Sequence, residues 1–236
     1  SEMCIRDSCE FIFLPVMKRI FLKLITFVVL SSNVFSQQIK EPVFFTKDQT
    51  WVDSILTNLS YEEKIAQLFM VIAYSNKSEN HKKEITRLVK KHKIGGLMFL
   101  QGGPERQAIL TNYYQSISKI PLMIALDAEW GVSMRLDSAL RFPWQMTVGA
   151  TKDSALVYEM AEEIARQCKL LGININFAPV VDINSNPKNP IINNRSFGES
   201  VENVSSLGLA YMQVQEKIHF QPVSYTHLRA HETSRY

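Results

Sequence analysis

The most informative stretch of this chain is INFAPVVDINSNPKNPIINNRSFGES, residues 175–200. Its first residues belong to an apolar, β-branched run over residues 174–181. This run predicts a short buried parallel strand. The run ends at Asp182, and a loop rich in Asn, Pro and Ser follows as far as Arg195. Loops that follow parallel strands carry the polar groups that bind ligands in α/β proteins. We therefore expect a polar ligand at the carboxyl end of this strand.

Strand and helix patterns alternate along the chain before and after this stretch. The apolar runs predict strands over residues 68–73, 97–100, 122–126 and 174–181. The helical patterns cover residues 51–59, 61–69, 81–93, 105–118, 153–171 and 201–217. This alternation predicts an α/β fold with about four parallel strands and crossover helices. A fifth strand is due near residues 220–230, but the chain reads PVSYTHLRAHETSRY there, and we predict no strand.

Two motifs in this order carry a family resemblance. They are LMIALDAEWGVSMR over residues 122–135, with Arg141-Phe142-Pro143 after it, and NPKNPIINNRSFGES over residues 186–200. They resemble the signature segments of glycoside hydrolase family 3, in the branch that contains the β-N-acetylhexosaminidases. The resemblance covers about residues 50–220. It implies a (β/α)8 TIM-type barrel, of which this chain holds the N-terminal half, and cleavage of terminal β-linked N-acetylhexosamine with retention.

The resemblance implies three substrate-binding residues, Asp127, Arg135 and Arg195. Asp127 ends the third predicted strand, and Arg135 follows it by eight residues. A carboxylate accepts hydrogen bonds from sugar hydroxyls, and a guanidinium offers a rigid fork of donors to hydroxyl or carbonyl oxygens. The alternative for each arginine is an internal ion pair, Arg135 with Asp127 or Arg195 with Asp182. Binding and pairing are compatible, because an ion pair can fix the side chain that holds the sugar.

Neighbouring polar and aromatic residues have more open interpretations. We interpret Asp182 as a residue that holds the loop after it. Trp130 replaces a glycine that the family often has, so it is either a packing residue or a sugar platform. Three asparagines of the loop suit turn positions better than ligand binding: Asn189, Asn193 and Asn194.

No catalytic residue is assigned within the chain. Retaining glycosidases use a nucleophile and an acid/base on opposite sides of the bond. The resemblance implies an Asp nucleophile on a later strand and an acid/base His after the fifth strand, both outside this chain. We therefore expect the chain alone to be inactive, and Asp127 and Asp182 are not assigned as the catalytic pair. His227 and His231 have a helical i, i+4 spacing that could bind metal, but we expect no metal and no cofactor.

Composition suits one soluble globular domain, and the carbohydrate partner is what the family resemblance implies. The chain has 236 residues, 46% hydrophobic and 21% charged, with a net charge of +3 and no basic block that would indicate nucleic acid. Of its three cysteines only Cys168 lies in the predicted mature part, so no internal disulfide is expected. The expected partner is an amino-sugar glycoside, and the sequence specifies no oligomeric state.

The two ends do not read as parts of the barrel. Residues 1–16 resemble a non-native leader, and 222–236 resemble a non-native tail. Residues 17–36 have the basic, apolar and small-residue regions of a signal peptide, with cleavage before Gln37. A transmembrane anchor is the alternative, but Lys23 interrupts the apolar run, so we expect no stable membrane anchor after cleavage. Residues 37–221 are then a partial barrel of a secreted or periplasmic protein.

Two other functions remain open. Within the family, a β-glucosidase usually has Trp-Gly-Arg and a Glu before Phe-Gly, where this chain has Asn193-Asn194-Arg195-Ser196-Phe197-Gly198. The hexosamine branch is therefore favoured. From another class, the chain could be a non-catalytic sugar-binding module of a larger secreted protein.

Overall fold

The computed structural model of the protein describes residues 49–217 and 221–222. The chain divides into two compact units, Ser1–Ile55 and Leu56–Tyr236. Of the first unit the structure describes only residues 49–55, which include most of helix α1 (Thr50–Thr57). The fold and the site described below belong to the second unit.

The second unit is built on a sheet of five parallel strands in chain order. These are β1 (Met70–Tyr74), β2 (Gly96–Gln101), β3 (Met123–Leu126), β4 (Ile175–Asn176) and β5 (Gln221–Pro222). Consecutive parallel strands that pair in sequence order are the arrangement found in an α/β barrel. The predicted fold class, a partial barrel with parallel strands, is therefore confirmed. The short β5 is one strand more than the sequence predicted.

Besides α1, one described helix precedes β1, and the others occupy the connections between the strands. They are α2 (Tyr61–Ala66), α3 (Glu79–Arg87), α4 (Pro104–Ile117), α5 (Gln145–Gly149), α6 (Ser154–Leu170) and α7 (Val201–Lys217). A π-helical turn, Leu88–His92, continues α3, and short 3-10 turns cover Val132–Met134 and Asn193–Arg195. Local capping explains two of the starts. Ser60 and Glu63 form the predicted capping box of α2, and Asp153 accepts the Ala155 amide at 2.9 Å to begin α6.

The register separates the strand side chains into two rows. One row faces the helices, here called the closed face, and the other, here called the open face, includes exposed side chains. Leu97 pairs with Ile124 across β2 and β3, and both side chains are fully buried. Side chains alternate along a strand, so the neighbouring row points the other way, and Ile72 in that row is 47% exposed. The main core lies between the closed face and the helices. It includes Ile85, Phe99, Tyr114, Leu126, Val157, Ile164 and Leu207.

The fourth strand is much shorter than predicted. The sequence predicted residues 174–181, but regular pairing covers only Ile175–Asn176. Single hydrogen bonds extend it at both ends, from the Asn174 amide to the Ile124 carbonyl at 2.7 Å and from the Phe177 amide to the Leu126 carbonyl at 3.0 Å. Pairing with β3 therefore stops where β3 itself ends, and Pro179 further on has no amide to donate.

The predicted leader, signal peptide and most of the predicted tail lie outside the described residues. So do His227 and His231, and these predictions remain predictions. In the described ranges, residues 49–217 and 221–222, no helix combines the length and the apolar character needed to cross a bilayer.

Candidate functional site

Asp127 follows directly after β3, at the carboxyl end of the strand. Its carboxylate accepts a hydrogen bond from Arg135 Nε at 3.1 Å, and Arg135 Nη2 contacts the same oxygen. The Asp127 side chain is 11% exposed and that of Arg135 is 26% exposed. The internal ion pair that the sequence analysis gave as an alternative for Arg135 is confirmed. Part of each group still faces solvent, where a ligand could reach it.

The loop after β3 is locked to the loop after β2. The Gly102 amide donates to the Arg135 carbonyl at 3.2 Å, and the Asp137 amide donates to the Gly102 carbonyl at 2.7 Å. Gly131 has a φ of +92°, and a Cβ there would lie 2.8 Å from Phe142 Cδ2. A side chain at this position would be strained in backbone and in space. The tight turn thus carries Arg135 back toward Asp127.

Arg195 forms its ion pair with Glu129. Its Nη2 donates to Glu129 Oε1 at 2.7 Å, and its Nε lies 3.0 Å and 3.1 Å from the two carboxylate oxygens. The Glu129 side chain is fully buried, whereas that of Arg195 is 21% exposed. The predicted alternative partner, Asp182, is wrong as the ion-pair partner among the described residues. The reason is that the Glu129 carboxylate comes into contact with the Arg195 guanidinium only when the fold brings the end of β3 against the long loop after β4.

The long loop after β4 is tied together at its base. Ser196 Oγ donates to the Asp182 carbonyl at 2.6 Å, and the Asn184 amide donates to the Gly198 carbonyl at 2.9 Å. Asp182 is buried, and its main chain takes part in holding the loop, in line with the structural role predicted for it.

Asparagines shape the tip of the loop as predicted. Asn189 Oδ1 accepts the Ile191 amide at 2.9 Å, which is an Asx-type turn. Asn193 has a φ of +36°, a region that asparagine tolerates better than most residues. Both positions serve the turn that presents Arg195.

The two ion pairs are neighbours. Asp127 and Glu129 are two residues apart, so their Cα atoms lie at most about 7 Å from each other. The structure therefore brings Asp127, Arg135 and Arg195 to one end of the sheet, with Glu129 as the added member. Two carboxylates and two guanidinium groups balance in charge, and Arg195 Nη1 also donates to the Ile191 carbonyl at 3.3 Å.

Trp130 packs against a second tryptophan. Its ring centroid lies 4.1 Å from that of Trp144 at an interplanar angle of 50°. The Arg141 guanidinium lies 5.1 Å from the centroid of the Trp144 ring, within the range of a cation–π contact. Trp130 is half-buried and packs against Trp144, so the packing role is present.

The part of the chain that the structure describes contains no group of three or more His, Cys, Asp or Glu residues arranged to hold a metal ion. Cys168 lies fully buried in α6, and burial raises the pKa of its thiol to about 12. This thiol stays protonated at neutral pH and is a packing group.

The sequence analysis missed the role of Glu129 and two further residues near the site. Asn176 and Tyr211 are fully buried and contact the segment that carries Asp127 and Glu129. Asn176 had a signal that could have found it, because it is a polar residue inside an apolar strand. Tyr211 had none, since an aromatic residue on the inner face of a helix usually means packing.

Comparisons with known proteins bear on the family of the chain. The model of the "Glycosyl hydrolase family 3 N terminal domain" matches residues 60–233. The β-hexosaminidase A of Pseudoalteromonas piscicida is 36% identical over 168 residues, which cover 63% of this chain and 28% of that protein.

Two solved structures share the fold. The β-glucoside phosphorylase BglX bound to 2FGlc has a TM-score of 0.70 at 29% identity, covering 76% of this chain and 32% of that one. The family 3 β-N-acetylglucosaminidase from Paenibacillus sp. str. FPU-7 has a TM-score of 0.63 at 31% identity, covering 71% and 33%. The chain spans about a third of the length of these relatives. With the family model matched over residues 60–233, this chain belongs to glycosyl hydrolase family 3 and carries its N-terminal domain.

Proposed function

We propose that the protein containing this chain is a secreted glycoside hydrolase that removes a terminal β-linked N-acetylhexosamine with retention. The observation that carries the proposal is the pair of adjacent Asp–Arg and Glu–Arg contacts at the carboxyl end of β3. The names of the Pseudoalteromonas and Paenibacillus relatives support the amino-sugar class. The substrate-binding residues would be Asp127, Arg135 and Arg195.

The geometry suits a pyranose held by its hydroxyl groups. Asp127 accepts from one edge of Arg135 and keeps its second carboxylate oxygen for a sugar hydroxyl. The Arg195 guanidinium is anchored by the buried Glu129 carboxylate and by the Ile191 carbonyl, so the whole group is held in a fixed direction. Donors that are fixed before binding lose little conformational entropy when the sugar arrives. The charges also strengthen each hydrogen bond to the sugar.

In this proposal the chain supplies the walls of the first sugar subsite. A retaining mechanism needs a nucleophile and an acid/base on either side of the glycosidic bond. The proposal assigns both groups to the remainder of the protein. No carboxylate of the ion pairs described here is given either role, because each already neutralises a guanidinium.

The test is the hydrolysis of aryl glycosides by the full-length protein. Asp127→Ala should lower kcat/KM on an aryl N-acetylglucosaminide by about 10-fold to 150-fold, since a hydrogen bond to a charged group is worth about 1.5–3 kcal/mol. The matched control is Asp137→Ala, which breaks an exposed ion pair with Arg106 in the first turn of α4. We expect the control to keep wild-type kinetics. Equal kinetics in both variants would remove Asp127 from the sugar site.

The alternative within the family is action on a β-glucoside. The fold match to the β-glucoside phosphorylase supports it. Paired assays on aryl glucoside and aryl N-acetylglucosaminide, with and without inorganic phosphate, separate hydrolysis from phosphorolysis. A faster rate on the glucoside would overturn the amino-sugar assignment.

The other alternative, a non-catalytic sugar-binding module, predicts binding without turnover. Calorimetric titration of N-acetylglucosamine into a full-length protein that hydrolyses neither glycoside would identify it. Secretion is tested separately. Expression with residues 17–36 in place should give a processed protein that begins at Gln37, as read by mass spectrometry.

A further inference from the structure

A buried polar cluster lies directly behind the segment that carries the two site carboxylates. Asn176 Oδ1 accepts the Ala128 amide at 2.9 Å, and the Tyr211 hydroxyl donates to the Ala128 carbonyl at 3.1 Å. Asn176 Nδ2 in turn donates to the Tyr211 hydroxyl at 3.2 Å. All three residues are fully buried. Both peptide groups of one residue are thus held by two interacting side chains.

The position of Ala128 makes this cluster relevant to the site. It lies between Asp127 and Glu129, and it follows the last ladder residue of β3. Its amide and carbonyl therefore need partners other than the strand ladder. The carbonyl also accepts the Gly131 amide at 3.2 Å, so its peptide groups are tied both to the turn ahead of it and to the helix layer behind it.

The strand register explains why the Asn176 side chain can reach the Ala128 amide and the Tyr211 hydroxyl. Asn176 pairs with Leu126 across β3 and β4, and the Leu126 side chain is fully buried in the core. Asn176 shares that side of the sheet and points toward the helix layer, where α7 supplies Tyr211. Asp127, the residue after Leu126, points to the opposite side.

We infer that Asn176 and Tyr211 are positioning residues for the sugar site, which fix the Asp127 and Glu129 carboxylates by clasping Ala128. This inference rests on the proposed function. The clasp consists of Asn176, Tyr211 and Ala128. Small displacements of groups that orient a substrate can cost large factors in rate, so a clasp that holds the backbone of both carboxylates at once controls both ion pairs of the site.

The test uses Tyr211→Phe in the full-length protein. This change removes one oxygen atom and leaves the ring that fills the core. The matched control is Tyr114→Phe, because Tyr114 is equally buried and its hydroxyl has no hydrogen-bond partner among the described residues. Both variants lose the same atom from a buried tyrosine, but only one lies behind the site.

The first readout is independent of activity. Hydrogen exchange of the peptide spanning residues 124–131, followed by mass spectrometry, should accelerate by about tenfold or more in Tyr211→Phe. The Ala128 carbonyl loses its donor, and Asn176, whose Oδ1 accepts the Ala128 amide, is no longer held by the Tyr211 hydroxyl. The same peptide should exchange at the wild-type rate in Tyr114→Phe. Unchanged exchange in Tyr211→Phe would overturn the clasp.

The second readout separates positioning from general stability. Kinetics are measured well below the melting temperature of every variant, so that all of the protein is folded. Tyr211→Phe should lower kcat/KM by about tenfold, whereas a purely structural role would lower the melting temperature and leave the kinetics of the folded enzyme unchanged. In an Asp127→Ala background the effect should be smaller than in the wild-type protein, since the part that acts through Asp127 is already lost and only the part that acts through Glu129 remains.

Each outcome decides one claim. Faster exchange with unchanged kcat/KM would overturn the positioning role. A fully additive loss in the double variant would show that Tyr211 is not coupled to Asp127, which overturns the claim that the clasp positions both carboxylates. A wild-type protein that is inactive on every glycoside would refute the proposed function and the positioning role together, and the exchange data would still report on the clasp itself.

Discussion

Removal of the Arg195 side chain is the sharpest test of the site, because it leaves a carboxylate buried without its partner. Glu129 has no exposed side-chain surface, and its oxygens lie 2.7–3.1 Å from Arg195 nitrogens. In Arg195→Ala that negative charge loses its countercharge and much of its hydrogen bonding. Breaking a buried ion pair in this way costs about 3–5 kcal/mol.

The reverse change should cost less. Glu129→Gln removes the buried charge and keeps the shape, while Arg195 is 21% exposed and can turn part of its charge toward water. We therefore expect Glu129→Gln to destabilise the domain by less than Arg195→Ala. This asymmetry follows from burial alone, since both variants break the same ion pair.

Thermal unfolding of the full-length protein measures the difference. For a domain of about 150–250 residues each kcal/mol shifts the melting temperature by about 2–4 °C, so Arg195→Ala should lower it by about 6–20 °C. The control is Arg106→Ala, whose partner Asp137 lies at the same 2.7 Å but is 58% exposed, and this pair is worth under about 1 kcal/mol. Equal melting temperatures of Arg195→Ala and Arg106→Ala would refute the argument from burial.

Three further predictions concern the framework around the site. Gly149→Ala should destabilise the domain by about 1–3 kcal/mol, because its Cβ would lie 1.9 Å from the Phe197 carbonyl oxygen; a denaturant melt with an unchanged midpoint would contradict this. Burial, with a smaller contribution from Lys77, lowers the pKa of His81 below 6.5, and its neutral ring accepts the Tyr74 amide at 3.2 Å. The stability from this neutral ring is therefore present above pH 6.5 and is lost as the pH falls through the lowered pKa. The denaturant midpoint should drop on acidification from pH 7.5. The drop should be smaller in His81→Asn, which lacks the titrating ring. Among residues 49–217 and 221–222 no strand pairs with the outer edge of β1, and Ile72 in that strand is 47% exposed, so this chain on its own should aggregate and lack a cooperative melt; a sharp calorimetric transition of the purified chain would refute this.

Much of the architecture was predictable because its signals are local. Helix α7 covers the predicted residues 201–217, and α6 differs from its prediction by one residue at each end. Capping residues and hydrophobic periodicity act within a few residues of one another. The pair Asp127–Arg135 was also within reach of the sequence, since eight residues and one tight turn separate its members.

The failures occurred where distant segments meet. The predicted strand over 174–181 pairs regularly for only two residues, because its partner β3 ends at Leu126. Arg195 pairs with Glu129 across 66 positions of sequence, and nothing local distinguished Glu129 from Asp182 as its partner.

By itself, then, the sequence determined the alternation of strands and helices, the family, and which side chains could hold a sugar, because these depend on residue type and short spacings. Only the tertiary structure decided which carboxylate neutralises Arg195, and that Asn176 and Tyr211 hold Ala128. The physical reason is that a buried charge or peptide group takes whichever partner the packed layers bring within about 3 Å, and that proximity arises only when the sheet register and the helix packing are both fixed.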